Sequence, residues 1–244
     1  MRRIKITVDY IGTSYHGWQV QPGLDTVQAR LQSAIKMLTG EEVSVQGSGR
    51  TDAGVHAMGQ VAHFDTESSV GVKNFVSGLN HFLPPDIRVL SAKVVSGDFH
   101  ARFSAKEKTY CYYIYESLVD KAIYHKRAMR FGGKLDLQKM RDCATAFVGE
   151  HDFTSFMSTG SEVGSAVRTV KELKVTRSSG LIKITVTANG FLYNMVRLIV
   201  GALVKAGKGE LTCEQAQSLI EQKSKNAVRE VMPADGLYLV KVKY

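Results

Sequence analysis

The order in which hydrophobic patterns succeed one another constrains this chain more than any single residue does. Ile4, Ile6 and Val8 alternate with polar residues, the period-two signature of a half-buried strand. After a loop at 12–23, Thr26 stands where an N-cap belongs. Val27, Leu31, Ile35 and Leu38 then fall on one helical face, and Gly40 stops the helix. Extended segments follow at 43–46 and 61–64. A second amphipathic helix carries Val72, Phe75, Val76, Leu79 and Leu83 and ends at Pro84-Pro85, and 87–95 is extended again. This part reads βαββαβ, the ferredoxin-like order.

The rest of the chain repeats that order with an extra helix. Aromatic and β-branched content makes 110–115 a strand and 129–131 a short one, and 136–147 shows helical spacing of Leu137, Met140, Ala144 and Phe147. A hairpin at 167–176 and 181–188 turns at Ser178-Ser179-Gly180, helices occupy 192–206 and 212–222, and 237–242 closes the chain. No sequence repeat accompanies the topological one. The expectation is an α+β protein of two ferredoxin-like halves, 1–105 and 106–244. Their mainly antiparallel sheets are expected to join side by side around a central cleft, because a polymeric substrate needs a long groove.

Lysine and arginine number 32 against 23 acids, a net charge of +9 that favours an anionic partner such as nucleic acid. Cys111, Cys143 and Cys213 are odd in number and far apart, so no disulfide framework or metal knuckle is written here, and a reducing cytoplasm fits. His56 and His63 have no ligand-spaced cysteine or carboxylate beside them. The N-terminus lacks an apolar signal core, and Asn194, Arg197 and Lys205 interrupt the most apolar late stretch. Neither membrane nor metal is expected.

One segment between strand-like runs stands out: Gly47-Ser48-Gly49-Arg50-Thr51-Asp52-Ala53-Gly54-Val55-His56-Ala57. It sets a single carboxylate among glycines, which are expected to supply positive φ and to let a ligand approach the backbone. A dinucleotide fingerprint would need glycine at 52, and a P-loop would need Gly-Lys-Ser/Thr. On spacing alone two readings stay open: an active-site loop, or a surface turn whose aspartate caps the next element.

That same segment resembles the tRNA pseudouridine synthase A family, and further motifs agree in order. They are Tyr10, Gly12, Tyr15, Gly17, Gln19 and Gln21; Thr26-Val27-Gln28; Phe99-His100-Ala101-Arg102-Phe103; Lys108-Thr109-Tyr110; Gly149-Glu150-His151-Asp152-Phe153; Phe191 through Arg197; and Gly236-Leu237-Tyr238-Leu239. The resemblance implies isomerisation of uridine to pseudouridine at positions 38, 39 and 40 of the tRNA anticodon stem-loop, without cofactor or metal, by a homodimer. It implies Asp52 as the nucleophilic acid, Arg197 as its ion partner and Tyr110 as the ring that stacks on the target base. The expected RNA contacts are Arg50, Tyr110, His56, Arg102, Lys106 and Lys108, with Lys126, Arg127 and Arg130 as further basic candidates. Residues 198–204 offer apolar helix surface for a partner or for the core. The competing class is a non-catalytic tRNA-binding or chaperone protein, for which the set of Asp52, Tyr110 and Arg197 would have no use.

Overall fold

Strict alternation of buried and half-exposed residues along Arg2–Tyr10 (β1) places Ile4, Ile6, Val8 and Tyr10 on one face. The structure, a computed structural model, describes residues 1–160, 164–225 and 227–244. Helix α1 (Val27–Thr39) begins where Thr26 accepts the Ala29 N–H and ends at Gly40 in the left-handed region. The 43–46 segment is not a strand, and only Gln46–Gly47 (β2) pairs in the sheet. Two α1 glutamines explain the difference: Gln28 donates to the Val45 carbonyl at 2.7 Å, and Gln32 accepts the Val45 N–H at 3.3 Å. With its backbone partners supplied by side chains, Val45 needs no neighbouring strand.

His56–Thr66 (β3), Val72–Phe82 (α2) and Ile87–Val95 (β4) follow. β3 and β4 flank β1 antiparallel, and β2 pairs outside β3, giving the order β4-β1-β3-β2. Leu38 of α1 packs into α2 at Gly78, where a Cβ would lie 2.6 Å from its methyl group. Phe64, Phe75, Leu31, Ile35 and Leu79 complete a core in which each buried large side chain contributes roughly 1.5–3 kcal/mol.

Glu107–Glu116 (β5), Met129–Phe131 (β6), Leu137–Ala144 (α3), Gly149–Asp152 (β7), Val167–Ser178 (β8) and Leu181–Ala188 (β9) come next, and their strands form one continuous stretch of sheet. Its order is β5-β9-β8-β7 with β6 parallel to β5. The β8–β9 hairpin turns at Ser179 (φ 53°) and Gly180 (φ 77°), both left-handed, as a two-residue primed turn requires. Helix α4 (Met195–Lys208) starts later than its apolar pattern suggests because Asn194 is left-handed. Residues 198–204 are core: Leu198, Ile199, Val200 and Leu203 are at most 1% exposed, so this helix offers no apolar surface. Helix α5 (Cys213–Glu221) opens with a capping box between Thr212 and Gln215.

The chain divides into two compact units, Met1–Lys106 with Tyr238–Tyr244, and Glu107–Leu237. The last strand, Leu237–Lys243, was expected with the second half, yet most of it lies in the first unit. There Tyr238 and Leu239 pair in parallel with His56 and Ala57 of β3. Among the described residues no helix is long and apolar enough to cross a membrane.

Candidate active site

In the first unit the glycine turn between β2 and β3 is held by the loop that follows β1. The Trp18 N–H donates to the Thr51 carbonyl at 3.0 Å and the Gly54 N–H to the Tyr15 carbonyl at 3.4 Å. The two loops approach so closely that a Cβ on Gly12 would lie 2.0 Å from the Val55 carbonyl oxygen, and one on Gly17 2.6 Å from that of Thr51. Gly47 is needed for a similar reason, since a Cβ there would meet the Trp18 indole at 2.6 Å. Of the glycines in the turn, Gly54 has positive φ (79°) and Gly47 and Gly49 do not. The expectation that the glycines before Arg50 bend the chain is thus corrected.

Buried side chains complete the frame. The Tyr10 hydroxyl shares a 2.7 Å hydrogen bond with Thr51 Oγ1, and burial pushes its pKa up, so it stays a neutral hydroxyl. Gln60, fully buried in β3, accepts from Ser48 Oγ at 2.6 Å and donates to the Gly49 carbonyl at 3.0 Å. His56 was expected among the RNA contacts, but it is 0% exposed. Its Nδ1 accepts the Gly12 N–H at 3.0 Å, and its ring stacks on Tyr238 with centroids 4.5 Å apart. With its ring buried, it is placed to position the turn through these contacts.

Asp52 follows the pinned Thr51, and its carbonyl accepts the Val55 N–H at 3.1 Å to close the turn. The residue is half-buried, and Arg50 beside it is exposed, with Nε 3.3 Å from Gln19 Oε1. These bonds fix the backbone from which the Asp52 side chain projects. Arg102 and Lys106 are exposed in the segment after β4 of the same unit.

The second unit carries Tyr110, Arg197 and the half-buried Lys108. Tyr110 lies opposite Val186 of β9, is 8% exposed, and meets Phe191 edge-on at 5.0 Å. Arg197 sits in the first turn of α4, where Nε donates to the Met232 carbonyl at 2.5 Å and Nη1 to Asn194 Oδ1 at 2.8 Å. These bonds lock the guanidinium at the helix start. Tyr112 is two residues along β5 from Tyr110. Burial pushes its phenol up, and the nearby Arg197 cation works against that shift. Thr109 bonds across the sheet to Thr187 at 2.9 Å. Of the basic candidates, Lys126 and Arg130 border an open groove of about 630 Å³ with Tyr115, Tyr124 and Asp235, and Arg130 pairs with Asp120 at 2.8 Å.

Comparison with known proteins decides what this framework belongs to. A family model described as tRNA pseudouridine synthase matches residues 6–104 and 143–244. The chain belongs to the tRNA pseudouridine synthase family. It is similar over its full length, and that of the relative, to the tRNA pseudouridine synthase A proteins of Caldicellulosiruptor saccharolyticus (46% identity) and Acetivibrio thermocellus (43%). It is 42% identical to the protein of that name from Bacillus subtilis, over 99% of each chain. The family makes it an isomerase. The glycine turn with Asp52, the Phe99–Phe103 motif and Arg197 fall inside the matched residues, and Tyr110 falls between them. Tyr10, Ser48 and Gln60 were not recognised from sequence as the frame of the site. Their signal is Gln60, a polar residue within the apolar run 57–62 of β3.

Proposed function

We propose that this chain converts uridine to pseudouridine at positions 38, 39 and 40 of the tRNA anticodon stem-loop, with Asp52 as the essential acid. The observation that carries the reading is the Asp52 turn: it is bonded on both sides by buried groups, while Asp52 itself stays only half-buried. In one route the carboxylate attacks C1′ and the C1′–N1 bond breaks with its electron pair leaving on uracil. The base rotates, C5 attacks C1′, the carboxylate departs, and the C5 proton is lost. In the glycal route the carboxylate takes the C2′ proton as the C1′–N1 bond breaks, leaving a C1′=C2′ double bond and the uracil anion. After the base turns, C5 bonds to C1′ while C2′ takes the proton back, and C5 then loses its proton. Arg197 supplies the cation that keeps such an acid ionised. Tyr110 stacks on the extruded base, and Arg50 occupies the gap it leaves or grips phosphate. Arg102, Lys106 and Lys108 take backbone phosphates. The reaction needs neither metal nor cofactor, and the working form is a cytoplasmic homodimer that holds one tRNA across both subunits.

The test is tritium release from tRNA carrying [5-³H]uridine. Asp52→Asn and Asp52→Ala are expected to abolish release while leaving tRNA affinity within about threefold, a change below 1 kcal/mol. Undiminished turnover in either variant removes the assignment. Tight binding with no product in the unaltered protein points to the non-catalytic RNA binder.

A further inference from the structure

The segment between β4 and β5 presents an exposed aromatic ring that the reading above does not use. Phe103 is 78% exposed, although its neighbour Ala101 is fully buried. A lone exposed apolar side chain carries no argument. Here, however, the ring belongs to a layered cluster. The His100 ring lies 4.4 Å from it, centroid to centroid, tilted by 34°, and the Arg102 guanidinium carbon is 5.7 Å from its centroid.

The backbone that carries the cluster is tied down. The Ala101 N–H donates to His63 Nδ1 at 3.1 Å, and the Ala101 carbonyl accepts the Tyr244 hydroxyl at 2.8 Å. His100 and Ser104 bond reciprocally, at 3.0 and 2.9 Å. The His100 ring Nδ1 also accepts the N–H groups of Arg102 and Phe103. Burial and the Arg3 charge push the His63 pKa down to about 4, so the Nδ1 that holds Ala101 remains an acceptor at neutral pH. Positive charge continues along the same segment: the Lys5 ammonium lies 5.3 Å from the Phe99 ring, and Lys106 is exposed three residues after Phe103. A flat ring held in the open on a tied-down backbone, with a guanidinium beside it, is the combination that single-stranded nucleic acid recognises, one face for a base and charge for the phosphates nearby.

We propose that Phe103, backed by His100 and Arg102, is a stacking platform for an unpaired nucleobase of the RNA substrate. This rests on the tRNA reading above and adds a binding residue distinct from the ring assigned to the target base.

The experiment measures binding of an unmodified tRNA transcript to the full chain and to Phe103→Ala, Phe103→Leu and Phe103→Trp at several salt concentrations. A lost stack is expected to weaken binding about tenfold in the Ala and Leu variants, with the Trp variant binding at least as tightly as the parent. The slope of log affinity against log salt is expected to stay unchanged, because no phosphate contact is removed. Equal affinity in all variants, a Trp variant as weak as Ala, or a shallower salt slope overturns the platform. So does a loss of self-association in the Ala variant with RNA affinity intact, which makes the ring a protein contact. Failure here leaves Asp52-dependent tritium release untouched, and failure of Asp52 leaves the binding series readable, so the two proposals fall separately.

Discussion

Two polar connections in this chain reach order by opposite means. The Asp52 turn is held by buried groups, with Tyr10 on Thr51, Gln60 on Ser48 and Gly49, and His56 on the loop that packs against it. The β5–β6 connection of the second unit leaves Leu118, Val119 and Ile123 largely exposed and is tied through solvent-facing pairs such as Arg130 with Asp120. Buried hydrogen bonds to otherwise unsatisfied groups are costly to break, whereas surface ion pairs contribute about 0–1 kcal/mol. The difference matches what each region is asked to do. A carboxylate proposed to react needs a fixed address, and a solvent-facing groove rim does not.

The sharpest way to break the contrast is Gly12→Ala. A methyl 2.0 Å from the Val55 carbonyl forces backbone apart, and we expect a loss of about 3 kcal/mol or more in denaturant unfolding together with loss of turnover. Normal stability and activity would mean that the loops are not in contact. Next comes Gln60→Leu, which removes the acceptor of Ser48 and the donor to Gly49. The expected cost is about 2 kcal/mol, with turnover falling more than tRNA affinity; an equal fall in both would assign Gln60 to substrate binding. Smallest is Asp120→Asn, which removes the acidic partner of Arg130. It should change stability by less than about 1 kcal/mol, and a larger loss would show that the second connection is as constrained as the first.

The same contrast explains which parts of the structure are legible in the sequence. Helices and hairpin are visible because their determinants are local: Thr26 and Gly40 bound α1, and Ser179-Gly180 supplies the left-handed turn. Long-range partners are not. The 43–46 strand failed because Gln28 and Gln32, on a preceding helix, had taken the backbone groups of Val45. His56 passed for a ligand contact because the N–H it serves, on Gly12, lies far away in the sequence. Glycine content marks the Asp52 turn but not its mechanics, since Gly47 makes room for Trp18 rather than bending the chain. Among 32 lysines and arginines, nothing local in the sequence distinguishes Arg197 apart from the family resemblance. Its clasp on Met232 depends on residues that no periodicity connects.

The return of Tyr238–Tyr244 to the first unit has a bearing on how the chain matures. Tyr238 stacks on the histidine that secures Gly12, and Leu239 completes the edge of β3 beside it. A nascent polypeptide halted on the ribosome after β4 would lack both, so the region around Asp52 cannot finish assembling until the second unit has been translated. The turn that holds Asp52 thus waits for residues that lie beyond the whole second unit in the chain.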